Sequence, residues 1–135
     1  MIIRSIFLLF FAFSLSQDDY YNLTINQTGE SHLVIFFNSI EGLDIGDEIG
    51  VFDSQGVLHT VDNGDDVEYG EVLVGSAIWM GSQVEITAIM SVDISDFGGP
   101  ILNGAVDGNN VVIKVYDISE EVEYSTTPVF GAGGE

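Results

Sequence analysis

The chain has 135 residues, enough for one domain, and 46% of them are apolar, which is too many for a disordered polymer. Its 22 acidic residues stand against two basic ones, giving a formal net charge of −20. That charge excludes binding to nucleic acid or to an anionic membrane surface, because both need clustered Lys and Arg. The chain has no cysteine, so its stability must come from packing or from bound cations.

Residues 1–16 have the features of a signal peptide. Arg4 provides the positive start, an apolar run covers residues 6–13, and small serines precede the expected cleavage site. The apolar run is too short for a transmembrane span, which needs about 20 residues. We therefore expect a secreted protein, extracellular or at the cell surface, that begins near Gln17 and does not insert into a membrane after the signal is removed.

The remainder, residues 17–135, predicts a single all-β domain. Apolar residues recur with period two in short runs between turn-forming residues, and no helical period is sustained. The expected strands are 21–25, 32–37, 47–53, 57–61, 71–79, 84–92, 101–106, 111–116 and 122–130. The first two runs, and likewise the next two, are expected to form hairpins.

Many short strands with frequent turns are typical of a two-sheet antiparallel β-sandwich, and a small β-barrel is the alternative. The end of the chain is glycine-rich and has the composition of an open loop, so the domain either leads into a linker or is truncated at its C terminus. The expected core consists of Leu33, Ile35, Ile49, Val51, Val72, Val74, Ile78, Ile86, Ala88, Val112, Ile113 and Val115.

Five stretches carry a resemblance. They are GDEIGVFD at 46–53, GEVLVG at 70–75, IWMG at 78–81, DFGG at 96–99 and VIKVYD at 112–117. Together they resemble an uncharacterised secreted β-sandwich module of marine Bacteroidetes-like multidomain extracellular proteins. That family has no established activity, so the resemblance implies a fold and export and adds little about mechanism. Such modules often carry cysteines in the loops matching 62–66 and 93–97, where this chain has Asp and Asn, and they continue past the position of Glu135. If the cysteines of such modules join these two loops, then in this chain a bound cation joins the loops instead, or the loops are not joined.

Acidic loops are the candidate metal sites. Calcium takes roughly six to eight oxygen ligands, which flexible Asp, Asn and Gly loops supply. The first choice is Asp62, Asp65, Asp66 and Glu71, followed by Asp93 and Asp96 in a second loop and Asp44, Asp47 and Glu48 in a third. The spacing does not match an EF-hand loop. Ordinary solvated turn aspartates are the competing interpretation.

The sequence offers no catalytic set. Its two histidines, His32 and His59, lie in expected strands, and the chain contains no Gly-x-Ser-x-Gly elbow. Two histidines without cysteine leave the usual zinc ligands incomplete. We therefore expect a protein that is not an enzyme.

Three functions remain open. The first is a non-catalytic extracellular module for adhesion, surface display or matrix assembly, with a protein or polysaccharide as partner. The second is a carbohydrate-binding module in which Trp79, Tyr69, Tyr20 and Tyr21 stack on sugar rings, although a lone Trp in a small sandwich is more often part of the core. The third is a self-assembling fibre subunit, a homo-oligomer that exchanges strands at an open sheet edge.

Overall fold

The computed structural model describes residues 19–131, so the predicted signal peptide lies outside the described residues. Within this range the chain forms two antiparallel sheets, with strand orders β1-β4 and β3-β2-β5-β6. The strands are β1 (Ser31–Phe36), β2 (Glu48–His59), β3 (Glu68–Ile78), β4 (Val84–Ile89), β5 (Val111–Asp117) and β6 (Val122–Ser125). The expected all-β class with two antiparallel sheets is confirmed, and the sheets do not close into a barrel.

Strand β2 is the centre of the larger sheet, because it pairs with β3 on one side and β5 on the other. The sequence predicted two strands here, joined by a turn at residues 54–56, and that prediction is wrong. The chain continues through these residues with register shifts against β3 instead of reversing. Gly56 lies opposite Gly70, and a Cβ at Gly56 would approach Val72 Cγ1 to 2.3 Å. The glycine therefore serves a bulge and a close strand approach rather than a hairpin turn.

The predicted hairpin between residues 21–25 and 32–37 is also wrong. Strand β1 pairs with β4, from Ser31 opposite Ile89 to Phe36 opposite Val84, and residues 21–25 form no strand. Tyr21 instead packs over Gly50, where a Cβ would come within 3.1 Å of its ring. The run at 101–106 makes only isolated bridges. Long-range pairing, which local periodicity does not encode, decides these partners.

The core lies between the two sheets, and most of the expected residues are in it. Buried members of the expected set are Ile49, Val51, Val72, Val74, Ile86, Ala88, Ile113 and Val115. Trp79 is buried with them. Three expected core residues are wrong, since Leu33, Ile35 and Ile78 are 59%, 41% and 42% exposed. Val112 is half-buried.

In β1 the strand was predicted, but the wrong one of its two faces was assigned to the core. Val34 and Phe36, rather than Leu33 and Ile35, pack against the core. Successive strand side chains point to opposite faces, so a one-residue error moves the whole apolar set to the other side of the sheet. Because both faces of β1 are apolar, period two could not decide which one is buried.

Two short 3₁₀ turns, at Asp62–Gly64 and Ser95–Phe97, contact each other. A Cβ at Gly64 would lie 2.8 Å from Ser95 Cβ. Nearby, Thr60 Oγ1 accepts the N–H of Ile101 at 2.9 Å and donates to its carbonyl at 3.0 Å. These contacts hold the two loops together. Residues 19–131 contain no helix with the length and hydropathy of a membrane span.

Candidate functional site

An open groove of about 1430 Å³ runs between the two sheets. One wall is β1 with the following Phe37, and the floor is the inner face of β5 and β6. The segment after β6, residues 127–131, closes one side. We call this feature the inter-sheet groove. It is lined mainly by apolar side chains.

The groove is open because a two-stranded sheet does not cover a four-stranded one. Val115 of β5 lies opposite Tyr124 of β6, and Asp117 lies opposite Val122, so Tyr124 and Val122 share the inner face with Val115. Val115 is 9% exposed, whereas Tyr124 and Val122 are 47% and 42% exposed. The inner face is therefore covered at β5 and uncovered at β6.

The free edge of β1 borders this uncovered floor. The N–H of Met90 donates to the carbonyl of Glu30 at 3.1 Å, in the same register as the β1–β4 pair. Antiparallel pairs alternate between bonded and non-bonded residues, so Val34 and Phe36 bond to β4. The backbone N–H and C=O groups of Leu33 and Ile35 consequently face away from β4, toward the groove.

This edge lacks the features by which proteins protect exposed strands. Such protection includes charged side chains, proline, bulges and very short strands. Strand β1 has no acidic or basic residue apart from His32 and no proline, and its register with β4 has no shift. The other sheet differs, since β6 has only four residues, including Glu123, and β3 has Glu68, Glu71 and register shifts.

Acidic side chains lie at both ends of the inter-sheet groove. Glu41 follows the C-terminal end of β1, and Asp107 lies near its N-terminal end, two residues after Ala105, which bridges Met90. Both residues are exposed. The groove thus has an apolar centre and negative ends.

The first predicted metal loop is only partly described. Asp65 and Asp66 are exposed, and the side chain of Asp62 lies outside the described side chains. Glu71 Oε1 accepts a hydrogen bond from Lys114 Nζ at 2.6 Å. Among the side chains that the structure describes, no three acidic or histidine residues are placed to hold a metal ion. Calcium binding at this loop stays a prediction.

The second predicted loop uses a carboxylate to shape its own turn. Hydrogen bonds from the side chain and the backbone of Ser95 lower the pKa of Asp93 below its usual range. The backbone bond reaches Asp93 Oδ1 at 2.9 Å. Asp96 is exposed. The contacts of Asp93 are those of a turn-forming aspartate.

The third predicted group contains buried structural carboxylates. Asp47 is 2% exposed, and its two oxygens accept the backbone N–H groups of Asp44 at 2.8 Å and Ile118 at 3.3 Å. Glu48 is also buried and accepts the N–H groups of residues 20–21. Sequence reasoning missed this role. The available signal was their position at the start of an apolar strand, where a charge must be hydrogen-bonded to be buried.

Among the aromatic candidates for sugar binding, the structure brings Tyr20 and Tyr21 into ring contact, with centroids 5.0 Å apart. His32 and His59 are exposed, and neither imidazole is hydrogen-bonded to another described residue. Trp79 is 3% and Tyr21 5% exposed, so neither ring can stack on a sugar. Tyr20 stacks on a neighbouring tyrosine with ring centroids 3.8 Å apart.

Comparison with known proteins gives no relative from which a function could be transferred. No protein-family model, curated protein or solved structure matches this chain. The resemblance to a secreted sandwich module therefore stays a prediction. The inter-sheet groove and the free edge of β1 are the features on which a functional inference rests.

Proposed function

We propose that this chain is a secreted, non-catalytic extracellular module for adhesion, surface display or matrix assembly, and that it binds a polymer segment in the inter-sheet groove. The observation that carries the proposal is the uncovered inner face at β6, where Tyr124 lines the groove and is exposed opposite the buried Val115. The apolar face of this sheet is buried at one strand and exposed to solvent at the next, and an exposed apolar patch of this kind is typical of an interaction site.

The size of the groove favours a polymer over a small ligand. Small-molecule pockets are mostly about 300–1000 Å³ and bury nearly all of the ligand. The inter-sheet groove is larger, about 1430 Å³, and is partly open to solvent. An extended chain segment fits such a shape, because it can fill the length of the groove while both of its ends continue into solvent.

The side chains around the groove favour binding rather than catalysis. General acid–base chemistry needs a titratable group within hydrogen-bond reach of the reacting atom. The central lining residues from β1 and β5, among them Val34, Phe36 and Ile113, are apolar. The histidine and acidic residues that line the groove are His32, Glu41, Asp53 and Asp107. The oxygens of Asp53 accept hydrogen bonds from Val106 and Asn109. Glu41 and Asp107 stand at the two ends of the groove, away from its apolar centre. These groups suit recognition by shape and burial.

Site-specific photocross-linking on the secreted protein tests the proposal. A benzophenone amino acid would replace Phe37, which lines the groove and is 52% exposed, or Tyr69, which lies outside the groove and is 53% exposed. Both positions are aromatic and equally accessible, so they differ in location only. The cells that secrete the protein would be irradiated, and cross-linked products would be separated and sequenced.

We expect position 37 to give a discrete adduct with one extracellular polymer and position 69 to give none. Equal labelling at both positions, or no adduct at either, would contradict the proposed binding function. Recovery of the protein with its first 16 residues intact, in soluble form, would contradict the proposed secretion.

A further inference from the structure

We propose that the inter-sheet groove is a strand-addition site for a partner protein. The occupant is an extended segment of alternating apolar residues with a cationic residue at each end, and it pairs antiparallel with the free edge of β1. This inference rests on the proposed function and names the partner class of the same groove.

The backbone of β1 supplies the pairing groups. The N–H and C=O groups of Leu33 and Ile35 face away from β4, as the Met90–Glu30 bond and the register require. The smaller sheet contains only β1 and β4 in the described chain. An added strand would satisfy these groups and extend the sheet over the uncovered floor.

The groove has room for one such strand. Neighbouring strands lie about 5 Å apart, packed sheets about 10 Å apart, and six residues extend about 20 Å, which together define a volume on the order of 1000 Å³. The groove volume of about 1430 Å³ accommodates this. Inward side chains of the added strand would cover the exposed Tyr124, and outward ones would lie beside Leu33 and Ile35.

The charges select a cationic partner. Glu41 and Asp107 stand at opposite ends of the groove, and neither carboxylate accepts a hydrogen bond from another described residue. The chain as a whole carries −20, so a second copy would bring like charge against like charge. A segment with Lys or Arg at both ends would instead be attracted to the two acidic ends and steered into the groove.

Peptide binding tests the inference directly. The probe is a fluorescein-labelled peptide, Lys-Val-Thr-Val-Thr-Val-Lys, in which the valines face the floor and the threonines pair with Leu33 and Ile35. The charge control replaces both lysines by Glu. We expect the basic peptide to bind about tenfold or more tightly than the acidic one at low salt, and the difference to shrink as salt is added.

Backbone methylation separates strand pairing from burial of apolar surface. In the antiparallel arrangement the threonine N–H groups bond to β1 and the valine N–H groups do not. Methylation of both threonine nitrogens should weaken binding by about tenfold or more, since two hydrogen bonds are lost. Methylation of two valine nitrogens adds the same bulk and should change affinity by no more than about threefold.

A protein variant tests the same edge. Ile35→Pro removes an N–H that faces the groove, which an edge strand tolerates, whereas Val34→Pro removes a bond to β4 and should destabilise the fold. We expect Ile35→Pro to retain the wild-type circular dichroism spectrum and to bind the basic peptide at least about tenfold more weakly. If either proline variant fails to fold, the inference is still tested, because the two methylated peptides are measured against the wild-type protein.

Three outcomes would overturn the inference. The first is that the basic peptide does not bind up to millimolar concentration, and the second is that the two methylated peptides bind equally well. The third is a dimer of this protein that Ile35→Pro abolishes, because the occupant of the groove would then be a second copy of the chain. If cross-linking from position 37 still yields a discrete adduct, the proposed binding function stands and only strand addition fails. If cross-linking also fails, the proposed function fails with it.

Discussion

The side-chain amide of Asn109 donates to both carboxylate oxygens of Asp53, at 3.1 and 3.0 Å. The same carboxylate accepts the backbone N–H groups of Gln55 and Val106, each at 2.8 Å. Asp53 is 2% exposed. One buried charge therefore fastens the bulge of β2 to the loop that precedes β5. Such hydrogen bonds to a charged group in a low-dielectric site are stronger than neutral ones.

Removal of this carboxylate is expected to destabilise the fold strongly. Asp53→Ala leaves the backbone N–H groups of Gln55 and Val106 without their acceptor and leaves the amide of Asn109 with the Gln55 carbonyl alone, which should lower the free energy of unfolding by about 3 kcal/mol. The control is Asp107→Ala, which removes the same charge from an exposed side chain and should change stability by less than about 0.5 kcal/mol. Urea unfolding of the two variants measures the difference. Equal destabilisation would mean that net charge, not hydrogen bonding, explains the effect.

Glu48 is expected to hold the first described residues against the larger sheet. Its Oε1 and Oε2 accept the N–H groups of Tyr20 and Tyr21, both at 2.9 Å. Glu48→Gln replaces one acceptor by an amide donor that faces an N–H group, so we expect a loss of about 1–3 kcal/mol in stability. The amides of residues 20 and 21 should also exchange faster with solvent deuterium.

The exposed Glu30 provides the matched control for that change. The carboxylate of Glu30 accepts no hydrogen bond from another described residue, since its contacts with Thr28 are made by the backbone. Glu30→Gln therefore removes the same charge and should leave amide hydrogen exchange at residues 20 and 21 unchanged. Faster exchange in both variants would show that charge, rather than the two hydrogen bonds, holds this segment.

Sequence reasoning predicted the inner faces of β2, β3 and β5 well, and it misplaced β1 for a physical reason. In β2, Ile49 and Val51 flank Gly50, so only one face of that stretch is strongly apolar. In β1, Leu33 and Ile35 are as apolar as Val34 and Phe36. Only contact with the second sheet decides which pair is buried.

The phase of β1 is testable by mutation. Phe36→Ala removes a half-buried ring that packs on the core and should cost about 2–3 kcal/mol. Leu33→Ala truncates a side chain that is 59% exposed and should cost less than about 1 kcal/mol. Chemical denaturation of both variants gives the comparison. A larger loss for Leu33→Ala would restore the phase expected from the sequence.

The inter-sheet groove was beyond the reach of sequence reasoning because it depends on strand order. Whether β6 is covered follows from β1 pairing with β4, whereas the sequence predicted a hairpin partner for β1. The buried carboxylates were missed for a related reason. Asp47 and Asp53 resemble turn aspartates in the sequence, and their acceptor role requires Ile118 and Val106, which are distant in the chain.

Alkaline pH is expected to unfold this protein through Tyr21. Its hydroxyl donates to Glu123 Oε2 at 3.1 Å, and burial, reinforced by that hydrogen bond, raises the pKa of Tyr21 well above its ordinary value of 10.0. The hydrogen bond with Glu71 similarly raises the pKa of Lys114 above 10.5. In both cases the folded state holds its proton at a pH where the unfolded state has released it.

The sign of the pH dependence follows from this difference in bound protons. Stability from a raised pKa is fully present below the pKa of the unfolded chain and is lost as pH rises toward the pKa of the folded state. We therefore expect the free energy of unfolding to be flat up to about pH 9.5 and to fall above about pH 10. Urea unfolding at a series of pH values measures it, and tyrosinate absorbance should show that the buried Tyr21 ionises only on unfolding.

Replacing Tyr21 by Phe measures how much of the loss of stability above pH 10 comes from ionisation of the Tyr21 phenol. Tyr21→Phe keeps the ring that packs on Gly50 and Phe52 but has no proton to lose, so its stability should fall less steeply above pH 10 than that of the wild type. Tyr69→Phe removes a hydroxyl that has no hydrogen bond to another described residue and should keep the wild-type slope. The decline that remains in Tyr21→Phe should shrink further when Lys114→Met is added. If Tyr21→Phe and the wild type lose stability in parallel above pH 10, the buried phenol is not the group that couples alkaline pH to unfolding.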